Sequence, residues 1–287
     1  MAQRPGGTAL LDAYFEALGS GDPGRLPLAD GARYTENGQD IPFGAGAWAT
    51  VTGVARQRAV TLADPEEGQQ AGWGLVSEGG ADVLLAVRLR ADAAGLISEA
   101  EAFAVRSPMF GRSDFPARLR EPSPQVGEVI EPASRASRAE LVAAADAYFD
   151  GVQDDDADRI PAADDCPRIE NGVRTVLNPA GEGHGPESPL EGEKLALSIR
   201  DQVRLIGFPA IERIRDRRYP VIDVERGLVL GVVLFDHPGP VRGLAGTARF
   251  AAPNSYLIWE LFKVSGGLIR HIEAIMAMFP YGMRSGW

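Results

Sequence analysis

Ala147-Tyr148-Phe149-Asp150 restates Ala13-Tyr14-Phe15-Glu16 at a distance of 134 residues. The same offset carries Arg25-Leu26-Pro27 to Arg159-Ile160-Pro161, Ala29-Asp30 to Ala163-Asp164, and Glu36-Asn37-Gly38 to Glu170-Asn171-Gly172. One offset held through a helix, a turn and a strand signals two copies of one fold unit, and with them two chances to build a site. The 287 residues suit two units of about 130–150 residues. Units of that size bury enough surface to need no covalent staples.

Outward from these anchors, each copy opens with an amphipathic helix. Leu10, Leu11, Tyr14, Phe15 and Leu18 fall at helical spacing over residues 8–19, and Leu141, Ala145, Tyr148, Phe149 and Val152 do so over 138–152. Runs near 72–77, 82–89 and 96–105 read as strands, as do 211–218, 228–236, 255–264 and 268–278, with Gly79-Gly80 and Gly266-Gly267 as turns. The run 191–206 reads as one long helix. Prolines 108, 116, 122, 124 and 132 mark 107–137 as an irregular linker. The closing strands match as Leu96-Ile97 with Leu268-Ile269 and Glu101-Ala102 with Glu273-Ala274. Their offset is 172, so the second copy carries 38 added residues, expected within 178–189 and 236–253. Insertions on a rigid scaffold are where function concentrates.

A net charge of −11 argues against a nucleic-acid partner, which calls for a basic stripe. One cysteine, Cys166, excludes an internal disulfide framework and a thiolate metal cluster. With no basic start before an apolar run and no apolar stretch near the length of a membrane span, the expected setting is the cytoplasm. No phosphate-cradling Gly-x-Gly-x-x-Gly joins a strand to a helix, and the histidines at 184, 237 and 271 show no ligand spacing. The expectation is no metal, no cofactor, no nucleic acid and no membrane, with a hydrophobic small molecule as partner and homo-oligomerisation left open.

The element order, the pattern A-Y-F-x-x-[LV]-x-x-[GD]-D at 13–22 and 147–156, and the closing Gly267-Leu268-Ile269-Arg270-His271-Ile272-Glu273 resemble the nuclear transport factor 2 superfamily. Within it they are similar to ketosteroid isomerases and SnoaL-like polyketide cyclases. The resemblance implies an α+β fold: two tandem cone-shaped units, each a curved antiparallel sheet wrapped around helices, packed as a pseudo-dimer. The expected division is 1–112, a linker at 113–137, and 138–287 carrying the site. It also implies a cofactor-independent acid–base enzyme (isomerase, cyclase, dehydratase or C–C lyase) working on an aromatic or polyketide-like molecule in an apolar pocket. Tyr148 falls where the isomerases place an oxygen-binding tyrosine. Their base falls at Asn171 or beside it at Glu170, and asparagine is no base at neutral pH. Glu273 falls where the cyclases place a last-strand acid.

Read as chemistry, His271 and Glu273 share one strand face at i, i+2 and form the leading acid–base pair. His237, at the end of an apolar strand and beside Asp236, is the alternative base. His184 lies in a glycine-rich loop. Arg168 and Glu170 share a face opposite Ile169 and Asn171, and only one set can line the pocket. Trp259, Asp223 and Tyr219 complete the expected substrate-binding residues. Glu99 and Glu101 hold the equivalent positions in the first copy, where a solvated strand face is the simpler reading. The basic run 213–218 reads as an exposed face pairing with acids. The other readings kept open are a non-catalytic ligand-binding or assembly module, and an epoxide or ester hydrolase in which Arg168, Asn171 and Asp223 hold a water.

Overall fold

The computed structural model describes residues 7–108, 114–179, 192–208, 210–239 and 252–287. The first copy contributes α1 (Ala9–Gly19), β1 (Leu28–Glu36), β2 (Gln39–Asp40), α2 (Ala47–Thr50), β3 (Val51–Val54), β4 (Val60–Asp64), β5 (Gln69–Glu78), β6 (Ala81–Ala91) and β7 (Ile97–Val105). A connecting segment holds α3 (Pro124–Gly127). The second copy contributes α4 (Arg138–Gln153), β8 (Arg168–Glu170), β9 (Val173–Arg174), α5 (Ile199–Ile206), β10 (Arg213–Asp223), β11 (Leu228–His237), β12 (Asn254–Ser265) and β13 (Leu268–Pro280). The class is α+β. Among the described residues, no helix is long and apolar enough to cross a membrane.

The two sheets run β2-β1-β7-β6-β5-β3, with β4 also on β5, and β10-β11-β12-β13-β8-β9. Both are mixed rather than antiparallel throughout: β1 lies parallel to β7, and β8 parallel to β13. This corrects the expected antiparallel sheets. The repeated Glu-Asn-Gly explains the shared geometry. Asn37 and Asn171 take left-handed φ of 52° and 45°, which asparagine tolerates better than most residues. Asn37 accepts at Oδ1 from the Ala104 N–H at 2.8 Å and donates to the Ala104 carbonyl at 3.3 Å. Asn171 does the same to Met276 at 2.8 and 2.9 Å. Each asparagine thus replaces the next rung of the ladder to the closing strand while the chain turns away.

Side chains alternate across each strand and sort into three apolar clusters. Leu11, Tyr14, Phe15 and Leu18 of α1 pack with Trp48, Leu85, Val87 and Ala102 inside the first unit. Leu141, Tyr148 and Phe149 of α4 pack with Ile258, Phe262, Ile272, Ala274 and Met276 inside the second. The third cluster takes the other faces of both sheets, with Trp73, Leu75 and Phe103 against Leu230, Leu234, Trp259 and Ile275. Each such buried side chain contributes about 1.5–3 kcal/mol relative to exposure.

Two expectations are corrected. Residues 114–137 form no loose linker, because Phe115, Leu119 and Val126 are buried in the cluster between the sheets. The prolines open short turns there, one at the start of α3. The long helix over 191–206 is two pieces, a 3-10 turn Gly192–Ala196 and α5, whose cap Ser198 accepts from the Asp201 N–H at 3.2 Å. A serine that caps a helix interrupts whatever precedes it. α4 begins on a capping box, Ser137 with Glu140, as Glu140 accepts from the Ser137 N–H at 2.8 Å.

Candidate functional site

Strand alternation decides which predicted residues meet. On β13, Ile272, Ala274 and Met276 face the interior of the second unit, whereas Ile275 faces the other sheet. His271 and Glu273 share the face of Ile275. On β8, Arg168 and Glu170 stand in register with Ile272 and Ala274 and therefore point inward, with Tyr148. On β12, Ile258 and Phe262 face inward while Trp259 and Leu261 face the other sheet. Glu260 therefore points inward too.

The result is a polar cluster inside an apolar, aromatic wall. Arg168 Nε donates to Glu260 Oε1 at 3.1 Å, and its Nη1 is paired with Glu170 Oε1. Tyr148 packs edge-on to Phe149 and Phe262, at 5.6 and 5.1 Å between centroids. Its hydroxyl lies within the electrostatic reach of both Arg168 and Glu260. Arg168, Glu170, Glu260 and Tyr148 are each less than a tenth exposed, and Glu260 is fully buried. Glu260 Oε2 has no hydrogen-bond partner.

Two carboxylates around one guanidinium leave one acid without a counter-charge. Burial raises the Glu260 carboxyl above the ordinary glutamate range, and Arg168 offsets this only in part. Burial likewise keeps the Tyr148 phenol protonated. Cys166, buried in the same cluster, has its thiol pushed up to about 12 by burial, which leaves it a thiol at neutral pH. The second unit thus gathers two carboxyl groups, one of them raised by burial, and a phenol around one fixed cation.

The other expected residues lie elsewhere. His271 Nε2 contacts Glu273 Oε2 at 3.2 Å, and Glu273 Oε1 accepts from Arg118 at 3.1 Å. This pair is buried on the face turned away from Tyr148, so the expected His271–Glu273–Tyr148 convergence does not form. His237 pairs with Asn254, six residues along β12 from Glu260, a separation of roughly 20 Å by strand rise. It lies against the Tyr256 ring, at 5.1 Å between centroids, and burial lowers it to about 4, leaving it neutral. Asp236 is committed on the opposite face to Arg213 and Arg215, each at 2.7 Å, and to Ser255 at 2.6 Å.

Asp223 is held by Arg226 and accepts from the Ala63 N–H at 3.3 Å, at the seam with the first sheet. Trp259 lies between the sheets, tilted against Phe103 at 6.1 Å. The Tyr219 hydroxyl donates to Asp146. Asn171 serves the backbone of β13, so Arg168, Asn171 and Asp223 do not gather around one water. His184 lies outside the described residues. Glu101 is held by Arg88 at 2.9 Å and Arg218 at 2.7 Å across the sheets, which replaces the solvated face expected for it. The basic run pairs with acids as expected, Arg217 with Asp150 at 2.7 Å.

Glu260 is the residue that sequence reasoning missed. Its signal was a lone acid amid Tyr256-Leu257-Ile258-Trp259-Glu260-Leu261-Phe262, but an isolated acid in an apolar strand reads equally as a lapse onto solvent. The first copy shows its weight. Val87 stands opposite Ala102 as Glu260 stands opposite Ala274, and Tyr34 takes the place of Arg168. There Glu36 is fully occupied, accepting from Tyr34 at 3.2 Å, the Ala47 N–H at 2.6 Å and Arg106 at 2.8 Å. The first unit keeps a tyrosine and an acid but lacks the doubly paired arginine.

Among the described residues, no cluster of histidine, cysteine, aspartate and glutamate has the geometry to hold a metal ion. No curated protein sequence matches the chain at a significant level. Among solved structures, an LEH-like epoxide hydrolase of M. tuberculosis is 14% identical, covering 51% of this chain and 86% of its own, with a TM-score of 0.31. LinA is 14% identical, covering 51% and 90%, also at 0.31. A cystatin-like-fold protein of unknown function from Methylobium petroleophilum is 18% identical, covering 45% and 94%, at 0.28. A family model described as a domain of unknown function, DUF8021, matches residues 134–276, the stretch that holds α4, β8, β12 and most of β13.

Proposed function

We propose that the second unit is a cofactor-independent acid–base catalyst acting on an apolar, carbonyl-bearing small molecule, with Arg168, Glu170, Glu260 and Tyr148 as its working groups. The observation that carries this reading is the single guanidinium of Arg168 bound to two inward carboxylates, one with an unpartnered oxygen. Groups of one type whose environments differ are a common basis for assigning acid and base. Glu170, paired with Arg168, is the base and takes the proton from the carbon next to the carbonyl. As that C–H bond breaks, negative charge moves to the carbonyl oxygen. The Glu260 acid and the Tyr148 phenol donate hydrogen bonds to it. Return of the proton from Glu170 to a different carbon completes an isomerisation; loss of a leaving group instead completes a lyase step. The aromatic wall excludes water and strengthens each of these interactions.

The reading extends to architecture. We take residues 1–112 and 138–287 as two NTF2-like cones arranged as an internal pseudo-dimer, the first structural and the second active, with no nucleic-acid or membrane partner and a cytoplasmic setting. The other reading, a binding or assembly unit in which the cluster is a structural ion network, draws on the full burial of Glu260.

The test needs no knowledge of the natural substrate. In heavy water, the protein is expected to accelerate α-proton exchange in some of a panel of bicyclic and aromatic ketones, followed by proton NMR. Glu170→Gln and Glu260→Gln are each expected to lower that rate by about 10²–10⁴-fold, while His237→Gln, far along the sheet against Tyr256, leaves it within about threefold. Exchange no faster than buffer across the panel, or full exchange in Glu170→Gln, would overturn the assignment.

A further inference from the structure

β8 and β9, which carry Arg168 and Glu170 and the turn between them, pair over only three and two residues. So short an edge ribbon has little stability of its own, yet it holds two of the four site groups. Its support comes from the segment leaving the first sheet. Arg118 Nε donates to the Gly172 carbonyl at 2.7 Å, and its Nη2 donates to Glu273 at 3.1 Å. Leu119 lies so close that a Cβ on Gly172 would meet its side chain at 2.8 Å.

The opposite end of the molecule repeats the arrangement in reverse. The segment leaving β13 crosses to the first unit and covers the Gly38 turn, where a Cβ would meet the Ser285 and Arg284 carbonyls at 3.1 and 3.2 Å. Trp287 Nε1 donates to Thr35 Oγ1 at 2.9 Å. Its ring lies under the guanidinium groups of Arg33 and Arg88, at 4.1 and 4.5 Å, and Arg33 also donates to the Gly286 carbonyl at 2.6 Å. Each unit's outgoing segment therefore packs on the other unit's Glu-Asn-Gly turn.

We infer that these exchanged arms set the geometry of the opposite unit's interior, which makes Arg118 a positioning residue for Arg168 and Glu170, and Trp287 one for Tyr34 and Glu36. The arm acts on the outer face of the strand whose inner face carries the polar cluster, so moving the turn moves the acid two residues before its glycine. Only the consequence for turnover rests on the proposed function; the positioning itself does not.

Hydrogen–deuterium exchange by mass spectrometry on the full chain tests it with crossed readouts. Arg118→Ala is expected to speed amide exchange across residues 168–174 about tenfold while leaving 34–40 at the native rate. Trp287→Ala is expected to do the reverse. Arg118→Lys, which keeps a charge beside Glu273 but not the two-pronged reach to Gly172, is expected to fall between. It also serves where the alanine variant does not fold. Cys166, beside Tyr148 and Arg168, is expected to react faster with iodoacetamide in Arg118→Ala and at the native rate in Trp287→Ala. Equal acceleration at both turns in either variant would mean general loosening and would overturn the inference, as would no acceleration at either. An inactive wild type in the ketone assay would sink the functional reading and leave this result standing.

Discussion

Glu260 and Val87 occupy one position of the fold in its two copies, and the difference has an energetic signature. An acid added to an existing Arg168–Glu170 pair is buried with one oxygen unpartnered, so it persists at a cost. Glu260→Val makes the second interior resemble the first, leaves one arginine with one acid, and is expected to leave stability unchanged or raise it by about 1–4 kcal/mol. Arg168→Met removes the cation of the cluster and leaves two buried acids; the expected loss is about 3–5 kcal/mol. Urea unfolding of the two variants checks the pair. If Glu260→Val proves the more damaging of the two, Glu260 is a stabilising partner rather than a tolerated functional acid. The asymmetry between copies was legible only in part. Histidines confined to the second copy drew attention to that copy, and its interior does hold the arginine–carboxylate cluster, but His271 lies on the other face of β13 and His237 far along the sheet against Tyr256.

At the scale of elements, period-2 alternation separated true neighbours from apparent ones. Asp236 and His237 are adjacent in the chain, yet they point to opposite faces of β11, so the aspartate serves Arg213 and Arg215 while the imidazole sits against Tyr256. Burial lowers His237 to about 4 from an unfolded value of 6.5. Between those values the unfolded chain binds more protons, so its contribution to stability is full above pH 6.5 and is lost as pH falls toward 4. The loss is at most about 3 kcal/mol. Urea titrations at neutral pH and near pH 4.5 should show a smaller drop for His237→Gln than for the wild type, and equal drops would contradict this account. The same alternation could have placed Arg168 with Glu170 from sequence, and it did. It could not place His271 and Glu273, because a face shared by two residues does not say which side of the sheet is the interior. That depends on where α4 packs. The Glu-Asn-Gly repeat was visible at once, but its use, an asparagine standing in for a ladder rung, needs the closing strand beside it. Residues 107–137 misled for a related reason: proline content reports local irregularity, and says nothing of Leu119 and Val126 being buried between two sheets.

At the scale of the whole molecule, an apolar cluster drawn from both sheets couples the two copies in a way the repeat alone does not require. Trp259 is fully buried there against Phe103 of the first sheet, and Glu101 of the first sheet is bound to Arg218 of the second. An apolar seam crossed by partly buried ion pairs and by both exchanged arms leaves neither sheet a solvent-ready outer face. Separation would expose Trp73, Leu230 and Trp259 together, a cost that couples the halves. Trp259→Ala is therefore expected to lose about 3–5 kcal/mol, and the loss should register in both halves although the substitution lies in one. Hydrogen exchange under increasing urea can resolve this, because α1 and α4 each report on an interior that the Trp259 side chain does not enter. Coincident weakening of both helices supports a single cooperative molecule. Weakening of α4 alone, with α1 at its native midpoint, would mean that two independent domains merely touch, and that the arms rather than the shared core hold them in register.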